Sequence, residues 1–439
     1  MTAVVGILNK SGLAIAADSA VTLTSFYKGQ NKTKILNTAN KIFTLSKYHP
    51  VGIAIYSQAS INRVPWEIII KEYRRQLGKD SFPTVREYFE DFVKFINSSA
   101  AFFFDQSTQE SFLLGQIKWV IKEIVGNTFK SIGENPQKFD LDDASNRKRL
   151  SDSIILELKR LNAEINSDKS LVVDELIGLD EFIKEYKEKV ISISSEASNL
   201  LVTLRLFENS KFVDGLLLFF HSLINTNNVD KAYTGLVFVG YGEKELFPSC
   251  FPIKCYYVFR NKLKYVLDDE WNFQIGDKRE SAIATFAQTD VMNTILMGVD
   301  SKLEDLFYEN TVNLVNDISR KIKENLSNPE IIDEVINEKV KDDLFFEYIN
   351  LMRGYQQENY ITPLLSSLAT ISKEDLAEMA ESLVYLTYLK RRMTNEEESV
   401  GGPVDVAVIS KGDGFVWIKR KHYFDPKLNQ PFLNDYFNR

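Results

Sequence analysis

Two rhythms of apolar and polar positions alternate along this chain. Residues 3–8 and 13–18 are apolar runs separated by Asn9-Lys10-Ser11-Gly12, which predicts a hairpin over 3–23. A second hairpin is predicted from 41–45, the turn 46–50 and the run 51–55. From residue 61 to about 228 the period lengthens to that of a helix, with amphipathic faces at 66–73 and 85–93. Ser81-Phe82-Pro83-Thr84 reads as a loop and cap between them, and 136–149 as a polar loop. Helical pattern continues over 151–189 and 195–223. Strands resume at 234–242, 253–260 and 262–267. Helix is predicted again from about 290 to 394, broken near Asn328-Pro329 and Thr362-Pro363. The chain closes with strands at 404–409 and 415–418 around Lys411-Gly412-Asp413-Gly414. Strands in three separated blocks, with helices between, predict an α+β architecture: antiparallel sheet covered by helices in one interrupted domain.

Composition narrows the chemistry. Of 439 residues 44% are hydrophobic and 26% charged, an ordinary globular balance. Acidic residues outnumber basic ones 61 to 53, for a net charge of -8, which argues against nucleic acid as a partner. Cys250 and Cys255 are too few for a disulfide framework or a four-ligand zinc site, and read as half-buried thiols near a strand. His49, His221 and His422 each stand apart from any local Asp, Ser or Cys signature. No metal or cofactor is therefore expected, and the chemistry must do without imidazole. The most apolar stretch, 212–224, is too short to span a bilayer and carries Asp214, so no membrane association is expected. Asn9, Lys10 and Asp18 interrupt what would be the apolar core of a signal peptide, which points to a cytoplasmic location. Gly240-Tyr241-Gly242 lacks the third glycine of a dinucleotide fingerprint and reads as a turn after a strand.

The most informative residue is Thr2. Initiator methionine is trimmed before small side chains, so the mature chain is expected to begin with threonine. A terminal threonine carries a hydroxyl nucleophile and an α-amino group whose pKa of about 7.7–8.0 leaves part of it unprotonated at cell pH. The amine takes the hydroxyl proton directly or through water, a nucleophile–base pair housed in one residue. Many chains begin Met-Thr, so the surroundings of this residue carry the argument.

Thr2-Ala3-Val4-Val5-Gly6-Ile7, followed by Gly12-Leu13-Ala14-Ile15-Ala16-Ala17-Asp18-Ser19, resembles the opening of proteasome β subunits and bacterial proteasome-like peptidases. Asn40-Lys41-Ile42-Phe43-Thr44-Leu45 and Val51-Gly52-Ile53-Ala54 are similar to that family's next strand pair. The resemblance, to the N-terminal-nucleophile (Ntn) hydrolases, implies a sandwich of two antiparallel sheets between helical layers. It implies Thr2 as nucleophile and base, Lys41 as the adjacent cation and Asp18 as the carboxylate that orients the lysine. Lys34 is a rival for the cation, because its spacing from Asp18 is closer to the family's. Glu397-Glu398-Ser399-Val400-Gly401-Gly402 looks like the late supporting segment, with Ser399 and Glu397 as the matching residues. Phe286-Ala287-Gln288-Thr289-Asp290 stands roughly where another supporting loop belongs.

Two departures from the family matter. It places Gly-Gly after the strand at 51–55, with backbone N–H groups forming an oxyanion hole. Here Tyr56-Ser57 stand there, keeping the backbone donors but bringing a ring that narrows or closes the cleft. The chain is also nearly twice a typical β subunit. The resemblance covers about 2–60, 234–290 and 380–420, with core segments at 2–60, 234–290 and 396–439. Residues 61–233 and 291–395 would form helical layers with large insertions. The implied activity is hydrolysis of peptide or other amide bonds through an acyl-enzyme on Thr2. Homo-oligomerisation, in rings or stacked rings, is implied too, and no ATPase partner is indicated. The competing reading is a proteasome-like scaffold that keeps the fold without turnover.

Overall fold

The computed structural model describes residues 3–27, 30–167, 176–226, 233–288, 290–325, 338–393, 401–422 and 424–431, with the backbone alone at 22–27, 30–33, 166–167, 338 and 426. The first block of strands is β1 (Ala3–Asn9), β2 (Gly12–Ala17), β3 (Val21–Tyr27), β4 (Gln30–Leu36), β5 (Ile42–Thr44) and β6 (Val51–Ser57), then the short β7 (Ser60–Ile61) and β8 (Val64–Pro65). The middle block is β9 (Thr234–Gly240), β10 (Ser249–Phe259), β11 (Lys262–Leu267), β12 (Phe273–Gln274) and β13 (Ser281–Ala287). The last is β14 (Asp405–Ser410) and β15 (Gly414–Lys419). Among the described residues these make one sheet in the order β13-β1-β2-β14-β15 and another in the order β11-β10-β9-β6-β5, with β12 beside β10. Neighbouring strands run antiparallel, and both sheets draw on distant parts of the chain.

Why these segments read as unbroken apolar runs is clear from their burial. Every residue of β1 and of β2 is buried. Leu13, Ile15 and Ala17 face the second sheet, together with Ala54, Val237 and Val239 from that sheet. Ala14 and Ala16 face the opposite way, into a core shared with Leu376, Ala380 and Leu383. The latter three lie on a helix, Lys373–Met393, that crosses the outer face of the first sheet. The second sheet is covered likewise by α1 (Trp66–Leu77) and α2 (Val85–Ser98), whose Ile69, Tyr73 and Phe92 pack on Ile53 and Phe238. The order of layers is therefore helices, sheet, sheet, helices, an α+β arrangement. Strands covered on both faces carry no polar alternation.

The remaining helices extend this frame. After the four-residue α3 (Ala100–Phe103) come α4 (Gln106–Ser131), α5 (Ala144–Ser167), α6 (Leu179–Ala197), α7 (Asn199–Thr203) and α8 (Ser210–Asn225). They share a core of their own that reaches Tyr256, Tyr257 and Phe259 of β10. Beyond the sheets follow α9 (Asp290–Met297), α10 (Ser301–Asn325), α11 (Glu338–Gln356), α12 (Thr362–Leu368) and α13, the Lys373–Met393 helix. Among the described residues no helix is long and apolar enough to cross a membrane.

Several elements differ from the pattern read in the sequence. The β3–β4 hairpin lies where no strand pair is expected, because it stands outside both sheets and β4 (QNKTKIL) has no apolar run to mark it. β13 is also missed: Ser-Ala-Ile-Ala-Thr-Phe-Ala is alanine-rich, poor in β-propensity, and is held by its full register against β1. Ala287 is thus a strand end rather than part of a loop. At Thr362-Pro363 the helix does not break. A π-turn over Gln357–Ile361, in which the Thr362 N–H bonds the Gln357 carbonyl, leads directly into α12, and Pro363 lies just after that wider turn. The expected break at Asn328-Pro329 lies outside the described residues. Within 136–149, helix α5 already begins at Ala144. Cys250 and Cys255 are fully buried on β10 rather than half-buried, and burial pushes both thiols well above the usual range.

Candidate active site

The ends of β2, β5, β6, β13 and β14 meet at one edge of the sandwich, near the first described residue, Ala3. Antiparallel pairing brings the strands of the first sheet there, and the Lys41–Asp18 bond brings β5 and β6 of the second. Ala3 opposes Ala287 on β13, Val4 opposes Ala17 on β2, and Ala17 opposes Asp405 on β14. Asp18 follows directly after Ala17 and is 1% exposed.

Asp18 organises the place. Its Oδ1 accepts a hydrogen bond from the Ala3 amide at 2.9 Å and from the Lys41 Nζ at 2.6 Å. Its Oδ2 accepts from the amides of Ala20 at 3.0 Å and Gly401 at 3.1 Å. Four donors offset the cost of burying this carboxylate, and one of them is the nitrogen bonded to the carbonyl carbon of residue 2. The Lys41–Asp18 pair is thus fixed one peptide unit from that residue. Lys41 lies just before β5, where its carbonyl accepts from the Ile55 amide at 2.8 Å. With 3% exposure it is desolvated, which holds its ammonium below the usual lysine pKa against the opposing pull of Asp18. Lys34 is exposed on β4 opposite Leu23, so the lysine that reaches Asp18 is Lys41.

The glycine pair after residue 400 has a physical reason to be there. The amide of Gly401 binds Asp18 and its carbonyl accepts from the Ser19 amide, while the Ser19 hydroxyl donates to the Pro403 carbonyl. Gly402 has φ +76°, and a Cβ there would lie 2.7 Å from the Asn37 Cβ. Thr2, Glu397 and Ser399 lie outside the described residues.

Tyr56 and Ser57 end β6, opposite Gly235 and Thr234. The Tyr56 ring turns into the space between the sheets. It packs 5.3 Å from the Phe286 ring and edge-on to Tyr233 at 6.1 Å. A Cβ on Gly235 would sit 1.9 Å from that ring, so glycine is what makes room for it. Burial raises the Tyr56 phenol far above its ordinary value and keeps it neutral. Ser57 is exposed and has φ +67°, the left-handed region that glycine enters without strain. Ala287, facing Ala3, has φ +73°. Two non-glycine residues thus hold left-handed conformations, one ending β6 and one opposite Ala3.

Sequence reasoning did not single out Asp405 and Lys421. Asp405 opens the otherwise apolar β14 and is 3% exposed, and Lys421 pairs with it through both its backbone amide and its ammonium. A lone acid at the head of an apolar strand was the signal available. Among the described residues no group of three His, Cys, Asp or Glu stands where it could hold a metal ion. His49 and His221 engage the carbonyls of Lys79 and Ile177 instead. A cleft of about 480 Å³, lined by Trp271, Phe273, Ser281, Ile283, Leu296 and Leu365, opens elsewhere. Ser281 opposes Asn9, so the cleft sits at the far end of β1 from Asp18. Neither the known family models nor the curated proteins include a match to this chain.

Proposed function

We propose that this chain is an N-terminal-threonine hydrolase that cleaves peptide or other amide bonds. Its layers of helices, sheet, sheet and helices are read here as the Ntn sandwich. Removal of Met1 frees the Thr2 amine. That amine accepts the hydroxyl proton as Thr2 Oγ attacks the substrate carbonyl, and returns it to the departing amine. Water then hydrolyses the ester on Thr2. The observation that carries this reading is the buried Lys41–Asp18 pair, whose carboxylate accepts from the Ala3 amide, the peptide nitrogen next after residue 2 in the chain. An ammonium there disfavours protonation of the Thr2 amine and stabilises the developing alkoxide. The oxyanion donors would be the backbone N–H groups of Tyr56 and Ser57. The left-handed Ser57 supports this, because a serine there holds a conformation natural to glycine.

One observation favours the scaffold reading. The Tyr56 ring occupies the space between the sheets that two glycines would leave open. Intact-mass measurement separates the two. The hydrolase is expected to lack Met1 and to gain one β-lactone or epoxyketone adduct on Thr2, lost in Thr2→Ala. Retained Met1, or an unlabelled Thr2 in a folded protein, would sink the proposal and leave the scaffold.

A further inference from the structure

We infer that Lys421 is a positioning residue for the site: by neutralising Asp405 it leaves Lys41 paired with Asp18 alone, on the carboxylate that binds the Ala3 amide. The inference rests on the proposed function for its catalytic meaning, but the charge arrangement can be tested without any turnover.

Four charged side chains share this end of the sandwich. Asp18 follows β2, Lys41 precedes β5, Asp405 opens β14, and Lys421 comes from the segment after β15. Asp405 stands opposite Ala17, the residue before Asp18, so the two carboxylates belong to adjacent strands. Side-chain exposure is 1% for Asp18, 4% for Lys41, 4% for Asp405 and 13% for Lys421. A carboxylate buried to this degree must find a cation. Lys421 supplies it, and its backbone amide donates to the Asp405 Oδ1 at 2.8 Å, so the whole returning segment is fastened rather than one flexible side chain.

Lys41 is the group placed to respond. Besides Asp18, the charges that act on it are Asp405, which favours its protonated form, and Lys421, which opposes it. With Lys421 in place the two act in opposite senses, Asp405 is held in its own ion pair, and Asp18 is the carboxylate bonded to the Lys41 ammonium. Without Lys421, Asp405 is a second buried carboxylate that has lost its ion pair, and Lys41 is a buried cation whose protonated form it favours. Lys41 would then be shared between two acids, drawn toward β14 and away from the Ala3 amide. Its ammonium would also hold its proton more tightly.

Direct titration of Lys41 tests this. Full-length protein carrying ¹³Cε-lysine is followed by NMR from pH 7 to 11, with the Lys41 signal assigned from Lys41→Arg. In Lys421→Met the Lys41 midpoint is expected to rise by about one pH unit, while Lys421→Arg leaves it in place. Asp405→Asn, which leaves Lys421 uncompensated, should lower it, and Asp405→Asn/Lys421→Met should return it close to the wild-type value. That double variant buries no unpaired ion, so the comparison survives if Lys421→Met fails to fold. A Lys41 midpoint equal in wild type and Lys421→Met, or equal in Asp405→Asn and the double variant, overturns the inference. Adduct formation on Thr2 is scored in the same samples. It should slow about tenfold in Lys421→Met and recover in Lys421→Arg. Wild type that never labels, with the titration shifts intact, removes the hydrolase and keeps the charge arrangement.

Discussion

The sheet sandwich and the α10–α11 pair handle apolar side chains in opposite ways. In the sandwich Val4, Leu8, Leu13, Ile15, Ile53 and Phe238 are all fully buried, and its buried Asp18 and Asp405 are paired with Lys41 and Lys421. Along α10 the apolar Leu306, Phe307, Leu314 and Ile318 are exposed, as are Phe346 and Leu351 on α11. The two helices do touch, through Tyr308 set edge-on against Phe345 and Tyr348, but most of their apolar surface lies outside that contact. The lesson is about what hydrophobicity means in each place. Between two sheets it is bought from both sides by neighbours of this chain. On the α10–α11 pair it marks a face that the described chain leaves to solvent.

Substitutions should break the two regions to very different degrees. Asp18→Ala removes the acceptor of three amides and leaves the Lys41 ammonium buried without its counter-ion. A loss of about 3–5 kcal/mol in unfolding free energy is expected, measured by urea denaturation. Next comes Gly235→Ala, whose new methyl would meet the Tyr56 ring. It should cost about 1–3 kcal/mol, and a destabilisation below a few tenths would mean that the ring has room to move.

Burial lowers the folded pKa of Lys41 below the ordinary 10.5. Between the folded value and 10.5 the unfolded chain therefore binds more protons than the folded one, and stability rises with pH across that window. The contribution is at most about 1.4 kcal/mol per pH unit. Subtracting the Lys41→Met curve from that of wild type, in urea melts from pH 8 to 10.5, should reveal a positive slope. The smallest effects belong to the other region. Leu314→Ser and Phe346→Ser are expected to stay within about 0.5 kcal/mol of the parent, and a loss of 2 kcal/mol or more in either would place those side chains in a core.

Legibility followed the same divide. The β1–β2 and β5–β6 hairpins stood out because short apolar runs flank polar turns, and β14–β15 because Lys411-Gly412-Asp413-Gly414 separates two such runs. The β3–β4 ribbon and β13 did not, one for want of an apolar run and the other because alanine says little about strands. At the site, Asp18 and Lys41 were expected only through the resemblance of 2–19 and 40–54 to the opening strands of the Ntn hydrolases, with Lys34 as the rival to Lys41. Lys421 was invisible, since one lysine in Lys419-Arg420-Lys421 looks like another until the chain folds back.

Local order decided which segments are helix or strand, where the turns fall and which residue types were available for chemistry, because periodicity and turn preference act over a few neighbours. Pairing between segments tens to hundreds of residues apart decided the rest. Lys41 rather than Lys34 meets Asp18, Gly401 supplies an amide to the same carboxylate, and Tyr56 fills the gap above Gly235. Hydrogen bonds and ion pairs act over a few ångströms of space, and only the assembled sandwich brings those atoms that close.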